Sequence, residues 1–122
     1  MAFDPAAKAL RDRFFESLAD LEWARRRGVF GNPALCVPGT LFALFYADRI
    51  VVTVSPELRL SLLESADVYE WVPEGSGMRS FGEWIAVPIA GRSDDLVCNI
   101  LRDAYARAAN ITGSSMDPPA EL

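Results

Sequence analysis

The chain of 122 residues predicts a single α+β domain. Helix-start signals stand at Asp4-Pro5, Ser55-Pro56 and Ser93-Asp94-Asp95, while short apolar runs separated by turns of two or three residues fill the interval between the first two. The expected architecture is a compact domain over residues 1–110. It has an N-terminal helix, an antiparallel sheet of about five to six short strands with an inserted helix, and a C-terminal helix. A flexible tail is expected over 111–122.

The first helix is expected from Asp4 as N-cap and Pro5 at N1, with Leu10, Phe14, Leu18 and Leu21 recurring on one face. Arg25, Arg26 and Arg27 would then sit at its C-terminus, where cations favour the helix dipole, and Gly28 would be the C-cap. Val29-Phe30 and Ala34 to Val37 read as short strands, Pro38-Gly39 as the centre of a type II turn, and Leu41 to Tyr46 as a third strand. A fourth covers Ile50 to Val54. Neither of these last two strands alternates apolar with polar residues, so both faces are expected to be covered, by helices or by a second subunit. A homodimer is expected on that ground.

Ser55 and Pro56 open the inserted helix, whose apolar stripe is Leu58, Leu62, Leu63 and Ala66. Val68 to Val72 and Trp84 to Pro88 form a hairpin with a long connection rich in glycine. The last helix begins after Ser93, carries Leu96, Val97, Ile100, Leu101 and Tyr105 on one side, and is expected to run to about Asn110.

Composition narrows the function classes. The net charge of −5 opposes broad attraction to nucleic acid. Six of the twelve basic residues nevertheless fall within residues 1–27, so a local basic patch is compatible with the acidic whole. There is no histidine, which removes the usual zinc sites, Ser-His and Cys-His nucleophile pairs and histidine general bases. Cys36 and Cys98 form no Cys-x-x-Cys motif and lie in apolar surroundings, so structural thiols are expected. No catalytic residue, metal or cofactor is expected. The longest apolar run is too short to span a membrane, and the N-terminus lacks the basic-then-apolar order of a secretory signal. A cytoplasmic protein is expected.

The stretch Arg25-Arg26-Arg27-Gly28-Val29-Phe30-Gly31 permits two geometries. On a helix the three guanidinium groups diverge by about 100° per residue. On a strand, Arg25 and Arg27 share one face and Arg26 takes the other. Neither gathers all three, so solvated cations are the ordinary reading, with weak nucleic-acid binding through Arg25–Arg27 as an alternative. The Gly75–Glu83 loop, with Arg79, offers a second alternative, a site for a small anionic ligand or an enzyme built on one. It carries neither a phosphate-loop nor a dinucleotide-loop pattern. Trp71 and Trp84 would either stack on a planar ligand or pack on each other across strands, and the second is the commoner arrangement.

Arg27-Gly28-Val29-Phe30-Gly31 and Pro38-Gly39-Thr40-Leu41-Phe42-Ala43, followed by Gly77-Met78-Arg79 and Trp84-Ile85-Ala86-Val87-Pro88, resemble the signature segments of the TfoX N-terminal domain family. The similarity runs from about residue 10 to residue 109. Val29 and Leu41 stand where that family has methionine, and Thr53 where it often has lysine. The resemblance implies a helix leading into an antiparallel sheet and a non-enzymatic regulatory or partner-binding module from a competence-related family. It directs attention to Phe30, Gly31, Arg79 and Trp84, together with Arg25 and Arg27, as ligand- or partner-binding candidates.

Overall fold

The computed structural model describes residues 5–29, 31–71 and 84–116, with the backbone alone described for Val29 and for 111–116. The elements in chain order are α1 (Pro5–Ser17), β1 (Arg25–Val29), β2 (Asn32–Val37), β3 (Thr40–Phe45), β4 (Arg49–Thr53), α2 (Pro56–Leu63), β5 (Tyr69–Glu70), β6 (Trp84–Pro88) and α3 (Asp94–Met116). The strands form one six-stranded sheet of order β1-β2-β3-β4-β6-β5, every neighbouring pair antiparallel. The first four strands are a meander. The chain then passes through α2, lays β5 on the far edge, and returns as β6 to pair with β4.

The turns follow from local chemistry. Gly39 has φ of 83°, the value required at the third position of a type II turn after Pro38, and Gly31 has φ of 76° between β1 and β2. Ser55 caps α2 by accepting the Leu58 N–H on its hydroxyl, and Ser93 caps α3 in the same way for Leu96.

Several boundaries differ from expectation: Val68 and Trp71 lie outside β5, and α2 ends at Leu63, leaving Ala66 exposed beyond it. The first helix stops at Ser17, and Arg25–Arg27 belong to a strand rather than to a helix end. Between them the chain makes successive tight turns, with Leu18, Leu21 and Ala24 N–H groups donating to the carbonyls of Phe15, Leu18 and Leu21. These turns put Leu18, Leu21 and Ala24 inward at intervals of three, a spacing that mimics a continuing helical stripe. The last helix, in turn, continues to Met116 instead of ending near Asn110. No proline interrupts the sequence before Pro118.

All three helices lie on one face of the sheet. Phe14 and Leu18, Leu62, and Val97, Ile100, Leu101, Ala104 and Ala108 pack there on Leu35, Val37, Phe42, Phe45, Ile50, Val52, Ile85 and Val87. Full burial of each large side chain in this core stabilises the fold by about 1.5–3 kcal/mol. α1 and α3 are joined further by Arg102, whose guanidinium donates to both oxygens of Asp20 at 2.9 Å and to the Ser17 carbonyl.

On the opposite face Ala34, Leu44, Val51 and Ala86 are completely buried, with Trp84, Trp71, Leu41 and Tyr46 packed against them. This burial is achieved within one copy of the chain, so the unbroken apolar sequences of β3 and β4 do not require a second subunit. A bulge in β3 assists both faces. Leu35 pairs with Ala43 and Cys36 with Leu41, leaving Phe42 over. Consecutive Phe42 and Ala43 thereby join the helix-side core, while Leu41 and Leu44 serve the other side. Among the described residues no helix is long and apolar enough to cross a membrane.

Candidate functional site: the arginine edge of the sheet

β1 is an edge strand, and its register follows from the short turn at Gly31. Val29 pairs with Asn32, Arg27 with Ala34, Arg26 with Leu35 and Arg25 with Cys36. Directly opposed residues share a face, so Arg26 lies on the helix side and Arg25 and Arg27 lie on the other.

The helix-side arginine is engaged. Arg26 stands over the Phe15 ring, 5.2 Å from its centroid, and 3.6 Å from the Asp12 carboxylate. That carboxylate also meets Lys8 at 3.3 Å and Arg11 at 3.0 Å. Partial burial raises the pKa of Asp12, but hydrogen bonds from Arg11 and Lys8 outweigh it and hold the group below its ordinary value. Arg11 is itself buried and also donates to the Arg27 carbonyl at 2.9 Å, fastening α1 to β1.

Arg25 and Arg27 differ from the arginines that are held by carboxylates. Arg13, Arg59, Arg92 and Arg102 are paired with Asp94, Glu70, Asp67 and Asp20 respectively. Among the described residues neither Arg25 nor Arg27 has a carboxylate within ion-pair distance. Arg25 donates instead to the carbonyls of Glu22 and Ala24, both at 3.0 Å. Around Asp12, one carboxylate therefore serves three cations, with Arg25 and Arg27 in addition on the neighbouring strand. The corner formed by α1 and β1 carries a local positive excess on a protein of net charge −5.

Beside Arg27 is a cleft of about 280 Å³, lined by Arg27, Cys36, Val37, Gly39, Thr40 and Leu41. Its lining joins one guanidinium and one hydroxyl to apolar side chains, the composition of a site for an anionic group on an aliphatic stem. The Cys36 thiol is 7 % exposed and free. Burial pushes its pKa up, with Arg27 and then Arg25 opposing. It is a protonated, poorly nucleophilic thiol at neutral pH.

Of the other predicted residues, the two that are described, Gly31 and Trp84, do not line this cleft. Gly31 makes the β1–β2 turn. Trp84 lies on β6, separated from β1 by three intervening strands, or roughly 19 Å at about 4.8 Å per strand. There it packs with Trp71, ring centroids 6.5 Å apart and tilted 57°, while the Trp71 N–H donates to the Trp84 carbonyl. This is the cross-strand pair. Phe30, Arg79 and the Gly75–Glu83 loop fall outside the described residues. Arg11, Asp12, Thr40 and Leu41 were not among the predicted site residues. Counting outward from the turns at Gly31 and Gly39 would have set Arg25 beside Cys36 and brought the β2–β3 turn to the same face. Among the described residues no group of three or more cysteine or carboxylate side chains could hold a metal ion.

No family model, no curated protein and no solved structure matches the chain.

Proposed function

We propose that this chain is a non-enzymatic, regulatory binding module that recognises an anionic group of a partner at the β1 corner of its sheet. The observation that carries the reading is the pair Arg25 and Arg27, placed on one face of an edge strand beside a cleft and lacking carboxylates among the described residues. A guanidinium gives a carboxylate or phosphate two parallel donors, and one already held by an acidic neighbour would have to give that partner up. The resemblance to the TfoX N-terminal domain family implies the same general role, a regulator without a reaction of its own. A homodimer, under this reading, would use a surface other than β1, because two-fold pairing of that edge sets arginines of one copy against those of the other.

The test is a nuclear magnetic resonance titration with N-acetylglutamate amide. Signals of Arg25, Arg27, Cys36 and Thr40 should shift together, with an affinity that weakens as salt rises. Loss of these shifts in the Arg25→Ala, Arg27→Ala double variant supports the site. Equal shifts in the double variant and the parent chain would sink it.

A further inference from the structure

The same corner has a second property beyond its charge. β1 is exposed from Arg25 to Gly28 and, among the described residues, pairs with one strand, β2. Alternate residues of such a strand turn their backbone N–H and C=O groups away from the sheet, where an extended chain can pair with them. Arg25 and Arg27, two residues apart, present their side chains on one face of this open edge. An added strand has the same two-residue period, so side chains at its alternate positions would meet both guanidinium groups at once.

Resting on the binding role proposed above, we infer that the β1 edge receives an extended, acidic polypeptide segment as a seventh strand, with carboxylates at alternate positions on Arg25 and Arg27. Backbone pairing supplies the docking and the arginines select what docks. The arginines also discriminate against competitors. A second copy of β1 brings like charges into register, and a neutral strand forfeits the ion pairs. Nucleic acid is disfavoured because the positive excess is confined to one corner of an acidic molecule, whereas phosphate-backbone binding gains from many cations along a track.

The experiment uses the full chain and an acetylated, amidated peptide of alternating threonine and glutamate. Its first control carries glutamine for glutamate. Two more are N-methylated, one at the amides that would face β1 and one at the amides that would face away. Strand addition predicts slowed exchange of the outward amides of β1, and affinity at least about tenfold weaker for the glutamine peptide and for the Arg25→Ala, Arg27→Ala variant. It predicts a similar loss on methylating the inward amides and little change on methylating the others. Binding that ignores the position of the methyl groups overturns the inference. If N-acetylglutamate amide binds at Arg27 while the peptide binds no tighter, the seventh strand is wrong and the anion site stands. If neither binds, both fall. Tighter binding of a single-stranded oligothymidylate than of the peptide at equal salt also overturns the inference, in favour of nucleic acid.

Discussion

The carboxylate of Asp103 accepts two hydrogen bonds from Ser55, from the backbone N–H at 2.7 Å and from the hydroxyl at 3.2 Å. The residue that caps α2 is thus itself held by a side chain of α3, 48 positions further along. Hydrogen bonds to an ionised group contribute about 1.5–3 kcal/mol when one partner is removed, and loss of an N-cap costs ~1 kcal/mol. Asp103→Ala should accordingly lower unfolding free energy by about 2 kcal/mol and Ser55→Ala by about 1 kcal/mol in urea denaturation. The double variant should lose less than the sum, since both changes remove the same contact.

Gly39 supplies a test of the β2–β3 turn. Nothing lies within 4 Å of a methyl group built there, so any penalty for Gly39→Ala comes from the backbone at φ of 83° and not from crowding. A loss of ~1 kcal/mol is expected, and Gly39→Asn should lose less because asparagine tolerates the left-handed region. Equal stability of all three chains would contradict the described turn.

Acid should act through two exposed ion pairs. The Arg92 guanidinium, donating to both oxygens of Asp67, lowers that carboxyl below its ordinary pKa, and Arg102 does the same for Asp20. Depressed folded-state values mean that the stabilisation is whole above the unfolded-chain value of about 3.9 and is lost as pH falls through the lower folded values. The difference in Tm between the parent chain and the Asp20→Asn, Asp67→Asn variant should be constant from about pH 7 to pH 5 and shrink toward zero below about pH 3. A difference that persists undiminished in acid would show that the variant acts through something other than charge.

The buried Cys36 thiol gives a chemical readout. With its pKa raised by burial, native protein should alkylate slowly there at about pH 8, and urea should restore the rate of an ordinary thiol. The stability linked to this group is complete below the ordinary thiol value of about 8.5 and is lost as pH climbs through the raised one. Fast labelling of Cys36 in the folded chain, mapped by peptide mass, would rule out the packing described around Arg27.

The caps and turns were legible because their signals are local. Pro56 after Ser55, Ser93 before two aspartates, and Pro38-Gly39 each announce one conformation within four residues. The end of α1 was hidden, since Leu18, Leu21 and Ala24 keep an inward spacing that a tight-turn ladder and a helix share. The outward placement of β5 was hidden for another reason. Its pairing with β6 follows the expected hairpin, but its place at the edge depends on β6 lying against β4, with Val87 on Ile50 and Ile85 on Val52, and no local preference encodes that choice. The candidate site lay between these cases. Its arginines stood out in the sequence, but their division between two faces needed the register of β1.

The extra residue at Phe42 has a bearing on how this sheet finds its pairing. β3 offers Leu, Phe, Ala, Leu and Phe in succession, a run so uniformly apolar that sliding it by one position would cost little in simple burial. The bulge removes that indifference. It fits only where Cys36 faces the Leu41-Phe42 step, and any slip separates Phe42 from the Tyr105 ring it meets edge-on at 5.9 Å. The irregularity thus acts as a keyed joint, making one alignment of an otherwise ambiguous strand stand out from its neighbours.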